Sequence, residues 1–110
     1  MPVTNAYGKP LELEAVKGCV GPGWSSLVEE LYKLCDANDI MITQVKEKFG
    51  GLRFYIGGAP EEIHDKIEEV ENLSITICEQ CGEPGENGPI TEGGYWVATL
   101  CDKCRKERRK

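Results

Sequence analysis

The chain has 110 residues, 40% of them hydrophobic and 29% charged, which limits it to one domain or one and a half with a modest core. Its net charge of −6 argues against nonspecific DNA binding, where phosphate contacts dominate affinity. No stretch approaches the roughly 20 apolar residues of a membrane span, and Met1-Pro2-Val3-Thr4-Asn5 has neither the basic start nor the apolar run of a secretory signal. A cytoplasmic protein with reduced thiols and no membrane partner is therefore expected.

Residues 1–22 carry the breakers Pro2, Gly8, Pro10, Gly18, Gly21 and Pro22 and read as irregular. Within them, Leu11 to Val16 alternates briefly, as a short strand or a helical turn. Gly21-Pro22-Gly23-Trp24 precedes the first clear helix, expected over Ser25 to Asn38. Ser26 and Glu29 stand in capping-box spacing. Leu27, Leu31, Leu34 and Cys35 recur with helical period and predict its buried face. Trp24 either staples this helix to the core or lines a ligand pocket beside its N-terminus. Cys19 and Cys35 read as buried small apolar residues.

A β-hairpin follows, with strands over Ile40 to Glu47 and Leu52 to Ile56 around Lys48-Phe49-Gly50-Gly51. If Glu47 faces Leu52, then Val45 meets Phe54 and Thr43 meets Ile56 on a buried face, with Gln44, Lys46, Arg53 and Tyr55 on the other. Lys46, Lys48 and Arg53 cluster at one hairpin end. Gly50 and Gly51 offer backbone N–H groups that could approach a phosphate or carboxylate. Together with Trp24 and Tyr55 these residues form a candidate anion-binding set, whose plainer reading is a Gly-Gly turn with solvated charges. Neither a P-loop nor a dinucleotide fingerprint is present.

A second helix is expected from Pro60 to Asn72, with Pro60 in its first turn, Glu61 and Glu62 near its N-terminus, and Ile63, Ile67 and Val70 as its buried stripe. His64, the one histidine, falls beside that stripe and reads as a surface residue. Charge is uneven: residues 60–92 hold ten acids and one base, and residues 93–110 hold two acids and six bases.

Ser74-Ile75-Thr76-Ile77 is expected as a strand leading into Cys78-x-x-Cys81-Gly82. A Gly/Pro-rich loop follows from Glu83 to Gly93. Tyr95 to Leu100 is a further strand, leading into Cys101-x-x-Cys104 at the start of a final helix. Nineteen residues separate the two C-x-x-C pairs. Two such pairs form a four-sulfur tetrahedral cage for Zn(II) when the chain between them folds back as a hairpin. Iron takes the same ligands, but the second pair lacks the flanking glycine of rubredoxin-like loops, so zinc is favoured. The alternatives are disulfides or free thiols. With Cys78, Cys81, Cys101 and Cys104 filling all four positions, no site remains for water or substrate, so the metal is structural. Trp96 is expected to pack over it. The basic tail Arg105-Lys106-Glu107-Arg108-Arg109-Lys110 either touches nucleic acid or complements the final helix dipole.

Three stretches together resemble a family of small proteins encoded by bacteria and their phages. They are Gly23-Trp24 before a helix, Gln44-Val45-Lys46-Glu47-Lys48-Phe49-Gly50-Gly51-Leu52-Arg53-Phe54-Tyr55, and the two cysteine pairs with Trp96 and Thr99-Leu100. The likeness spans roughly residues 20 to 104, and the hairpin motif is its most specific part. Several members carry a histidine where this chain has Cys104. The family supplies no activity. The resemblance implies a phage or mobile-element setting in a bacterial host cell, where short acidic proteins often act by binding a host factor.

The expected fold is α+β: a helix–β-hairpin–helix module over residues 1–73, fused to a four-cysteine zinc finger of treble-clef or zinc-ribbon type over residues 74–110. The expected function is non-enzymatic, because one histidine and no nucleophile–base pattern leave no catalytic signature. It is a zinc-binding accessory factor that docks on a host defence or transcription protein. The alternatives are capture of an anionic small molecule such as a signalling nucleotide, and nucleic-acid binding through the tail.

Overall fold

The computed structural model describes residues 11–89 and 97–108. In chain order these form α1 (Leu13–Lys17), a 3-10 turn (Pro22–Trp24), α2 (Ser25–Ala37), β1 (Ile42–Lys48), β2 (Gly51–Ile56), α3 (Glu61–Ser74), β3 (Glu86–Pro89), β4 (Val97–Leu100) and α4 (Asp102–Arg108). The fold is α+β with two separate two-stranded antiparallel sheets, β1–β2 and β3–β4. No helix among the described residues is long and apolar enough to cross a membrane.

The helical periodicity of α2 buries Leu27, Val28, Leu31 and Cys35, with Leu34 half-buried at the margin. Ser26 and Glu29 do not form the expected capping box; Trp24 occupies the N-cap and no side chain caps the helix. The preceding 3-10 turn takes over that role by running straight into α2. Trp24 is fully buried and its Nε1 donates to the Ile77 carbonyl at 2.9 Å, tying α2 to the cysteine-bearing half.

The hairpin register matches expectation at Glu47–Leu52 and Val45–Phe54 but not beyond. A bulge between Ile42 and Gln44 sets Ile42, rather than Thr43, opposite Ile56. The extra residue lets Ile42 enter the core at 1% exposure and turns Thr43 outward, which the hydroxyl favours. At the tip, Phe49 and Gly50 have φ of +54° and +76°, the signature of a two-residue type I′ turn.

α3 begins after Pro60, which serves as N-cap rather than as a first-turn residue, and continues past Asn72 to Ser74. The strand expected over Ser74 to Ile77 is absent. Ser74 ends the helix and Thr76 donates from both its N–H and its hydroxyl to the Leu73 carbonyl, so hydroxyl side chains close the helix terminus where β-branched alternation suggested a strand. Only Ile77 retains a β-bridge, to Pro84. Ser74 Oγ and Glu71 Oε2 accept the Leu52 and Phe54 N–H groups at 2.9 and 2.8 Å, so α3 seals the outer edge of β2.

Two apolar clusters result. The larger joins α1, α2, the hairpin and α3 around Trp24, Leu31, Ile42 and Leu52. The smaller comprises Cys78, Ala98, Leu100 and Cys104. Between them, the hairpin tip rests on the second sheet: Thr99 Oγ1 donates to the Gly50 carbonyl at 2.6 Å, and Asn87 Nδ2 to the Phe49 carbonyl at 3.0 Å.

Candidate metal centre

The first cysteine pair sits in a tight knuckle. Cys78 N–H donates to the Glu83 carbonyl at 2.7 Å, and Gly82 N–H returns to the Cys78 carbonyl at 2.9 Å. Gly82 takes φ of +85°, a conformation that favours glycine. Gly23 backs the knuckle, its N–H donating to the Glu79 carbonyl at 2.8 Å; a side chain there would overlap the Cys78 carbonyl. The second pair straddles the end of β4 and the first turn of α4. Arg105 N–H reaches the Cys101 carbonyl at 2.9 Å, and Cys104 N–H points at Cys101 Sγ at 3.5 Å.

The β3–β4 hairpin folds these pairs together. All four Sγ atoms lie within 4.8 Å of one another, and Cys81 and Cys101 approach to 3.6 Å. Zn–S bonds of about 2.3 Å make a tetrahedron with sulfur–sulfur edges of about 3.8 Å, so the cluster is near the size that one ion requires. None of the six cysteines is in a disulfide. Cys78 and Cys104 are buried, Cys101 is half-buried and Cys81 is exposed.

The electrostatics suit a cation. Burial opposes ionisation of Cys78, but backbone N–H groups of Cys101, Cys81 and Gln80 point at its sulfur and bring its pKa down to about 6. The Cys104 thiol is pushed up, first by its hydrogen bond with Cys101 and then by burial. Cys78 thus ionises readily while Cys81 and Cys104 are shifted toward the protonated thiol, a conflict that a divalent cation removes. The donor set and its spacing fit a four-thiolate metal.

Two charged residues complete the surroundings. Glu79 is buried; burial raises its carboxyl pKa, while the Thr99 N–H at 3.4 Å and Arg108 at 3.5 Å counter that effect. The Arg105 guanidinium clamps the second hairpin, reaching the carbonyls of Glu86 and Pro89 at 2.6 Å, Ala98 at 3.3 Å and Gly88 at 3.4 Å. Of the basic tail, Arg105 therefore faces inward, and Arg108, itself exposed, pairs with buried Glu79; Arg109 and Lys110 lie outside the described residues, as does Trp96.

The other candidate residues divide. Lys46, Arg53 and Tyr55 share the outer face of the first hairpin, with Lys46 paired to Arg53 and its Nζ 5.7 Å from the Tyr55 ring centre. Lys48 lies at the same end, 5.7 Å from the Phe49 ring centre. Trp24 is inside the core and away from that face. Gly50 is buried, and its N–H donates to Glu47 Oε2 at 2.7 Å. Gly51 is buried with Ile75 against it. His64 is exposed, as expected. Ser74, Glu71, Glu79 and Arg105 were missed, since their partners are remote in sequence. No protein-family model matches the chain, and no curated protein or solved structure matches it.

Proposed function

We propose that this protein is a non-catalytic binding protein built on a structural Zn(II) centre, and that it acts by docking on another protein. The observation that carries the reading is the convergence of four thiol sulfurs within 4.8 Å, two of them on a knuckle and two at the start of a helix. Cys78, Cys81, Cys101 and Cys104 fill a tetrahedral shell and leave no position for a substrate, which makes the ion a staple for a small core. The order of knuckle, β-hairpin and helix-borne pair supports a treble-clef finger. Phe49, Tyr55, Leu73 and Ile75 are exposed large apolar residues that a docking partner could cover. Native mass spectrometry of protein purified without chelator tests the first half of this reading: one zinc per chain is expected, and a metal-free chain with the same fold would overturn it.

A second reading is favoured by one observation. Lys46, Lys48 and Arg53 make no ion pair among the described residues, whereas Lys17, Lys33, Lys66 and Arg108 each face a carboxylate. An anionic small molecule could use them with Tyr55. That reading requires nucleotides to raise the melting temperature, and Arg53→Ala to abolish the rise with the fold intact.

A further inference from the structure

The first hairpin has two edges, and they differ. The outer edge of β2 is sealed, because Leu52 and Phe54 donate to Ser74 and Glu71. Antiparallel partners alternate between facing the neighbouring strand and facing away. The residues opposite, Glu47 and Val45, therefore also turn their backbone groups away from β2, onto the outer edge of β1. Among the described residues, no hydrogen bond from outside the hairpin reaches the backbone of either.

A groove of about 210 Å³ reaches that edge at Val45. Four consecutive residues, Ile42 to Val45, line one wall, and Ala15 and Val16 of α1 stand in the other. The bulge between Ile42 and Gln44 interrupts side-chain alternation there, and beyond it the groove is lined by Val45, whose backbone faces the open edge. Its lining is chiefly apolar. On the outer face of the same strand, Lys46 and Lys48 have no carboxylate partner among the described residues, in a chain of 19 acids and 13 bases.

We infer that the outer edge of β1 is a strand-addition site for an extended segment of a partner protein, with carboxylates opposite Lys46 and Lys48 and an apolar side chain opposite Val45. An added strand satisfies the open N–H and C=O groups of Val45 and Glu47, and its side chains alternate as this edge does. A second copy fits less well, since its own β1 would bring further lysines to the same face. This inference deepens the protein-docking reading and rests on it.

The test is amide hydrogen exchange on the zinc-loaded full chain, with and without a synthetic peptide alternating glutamate and valine. In the free protein, Val45 and Glu47 amides should exchange fast while Lys46 and Lys48, bonded within the hairpin, are protected. Saturating peptide should slow Val45 and Glu47 by about tenfold or more. A lysine–valine peptide should do nothing, and Lys46→Glu with Lys48→Glu should abolish the protection while the hairpin amides stay slow. Val45 and Glu47 already protected in the free chain would overturn the inference, since residues 1–10 or a second copy would then hold the edge. So would equal protection by the lysine–valine peptide, or none by the glutamate–valine peptide. Failure of the metal reading appears elsewhere, as fast exchange at Cys78 and Glu79, which donate to Glu83 and Thr99.

Discussion

Gly50→Ala is the sharpest single test of how the first hairpin is held. At φ of +76° an L side chain costs about 1–2 kcal/mol. The added Cβ would also lie 2.8 Å from the Ala98 carbonyl carbon, 2.9 Å from Ala98 Cα, and overlap Asn87 Nδ2. Overpacking of that kind costs about 1–3 kcal/mol, so the total is about 2–5 kcal/mol. That is a large share of the 5–15 kcal/mol, roughly, that stabilises a domain of this size. Gly58→Ala is the control, because nothing lies within 4 Å of its Cβ position and its φ is not left-handed. It should change stability by less than about 1 kcal/mol, in the stabilising direction. Urea titrations at fixed zinc measure both. Asn87→Ala added to Gly50→Ala should recover only part of the loss, since the Ala98 backbone cannot move aside. If Gly50→Ala costs no more than about 1–2 kcal/mol, the cost of its left-handed φ alone, the hairpin tip does not rest on the second sheet and the account of how the two parts meet is wrong.

Arg105→Lys replaces a planar fork spanning four carbonyls by one ammonium, and should lower stability by about 1–2 kcal/mol without changing metal content; a loss below about 0.5 kcal/mol would refute the clamp. In the metal-loaded protein one thiol of six should react quickly with a disulfide reagent. It is Cys19, which is exposed rather than buried as the sequence suggested, because the metal protects four cysteines and burial protects Cys35; a second fast thiol mapped to Cys35 would contradict the packing of α2. Burial raises the Cys35 pKa to about 11, above the roughly 8.5 of an unfolded cysteine. Its contribution is whole below the unfolded value and lost as pH rises from there through about 11. Cys35→Ala should flatten that part of the stability profile, and an unchanged slope would assign it elsewhere.

Much of the molecule was legible because its signals are local. The period of Leu27, Leu31 and Cys35, the stripe of Ile63, Ile67 and Val70, and the hairpin around Lys48 to Gly51 each depend on near neighbours, although the turn centres on Phe49-Gly50 rather than on the expected Gly-Gly pair, since Gly51, in β2, pairs with Lys48. So does the spacing of the cysteine pairs, which places the cluster without tertiary information. What escaped depends on remote partners or on a competition between local rules. The bulge at Thr43 is set by whether Ile42 or Thr43 enters the core, and alternation alone does not decide it. Ser74-Ile75-Thr76-Ile77 has β-branched alternation, yet its hydroxyls close a helix whose buried stripe reaches Ser74. Glu71 acts on a strand 17 residues away, and Arg105 on a hairpin whose carbonyls carry no sequence mark. Glu79 offered a weak signal, as an acid between two ligands, but its burial follows from Thr99 and Arg108.

The central claim is that one ion sits among Cys78, Cys81, Cys101 and Cys104, and X-ray absorption at the zinc edge tests it most directly. Protein purified without chelator should show a single shell of four sulfurs at about 2.3 Å, with no lighter ligand. A nitrogen or oxygen ligand at about 2.0–2.1 Å, or fewer than four sulfurs, would contradict a closed structural site and return the centre to the candidates for chemistry.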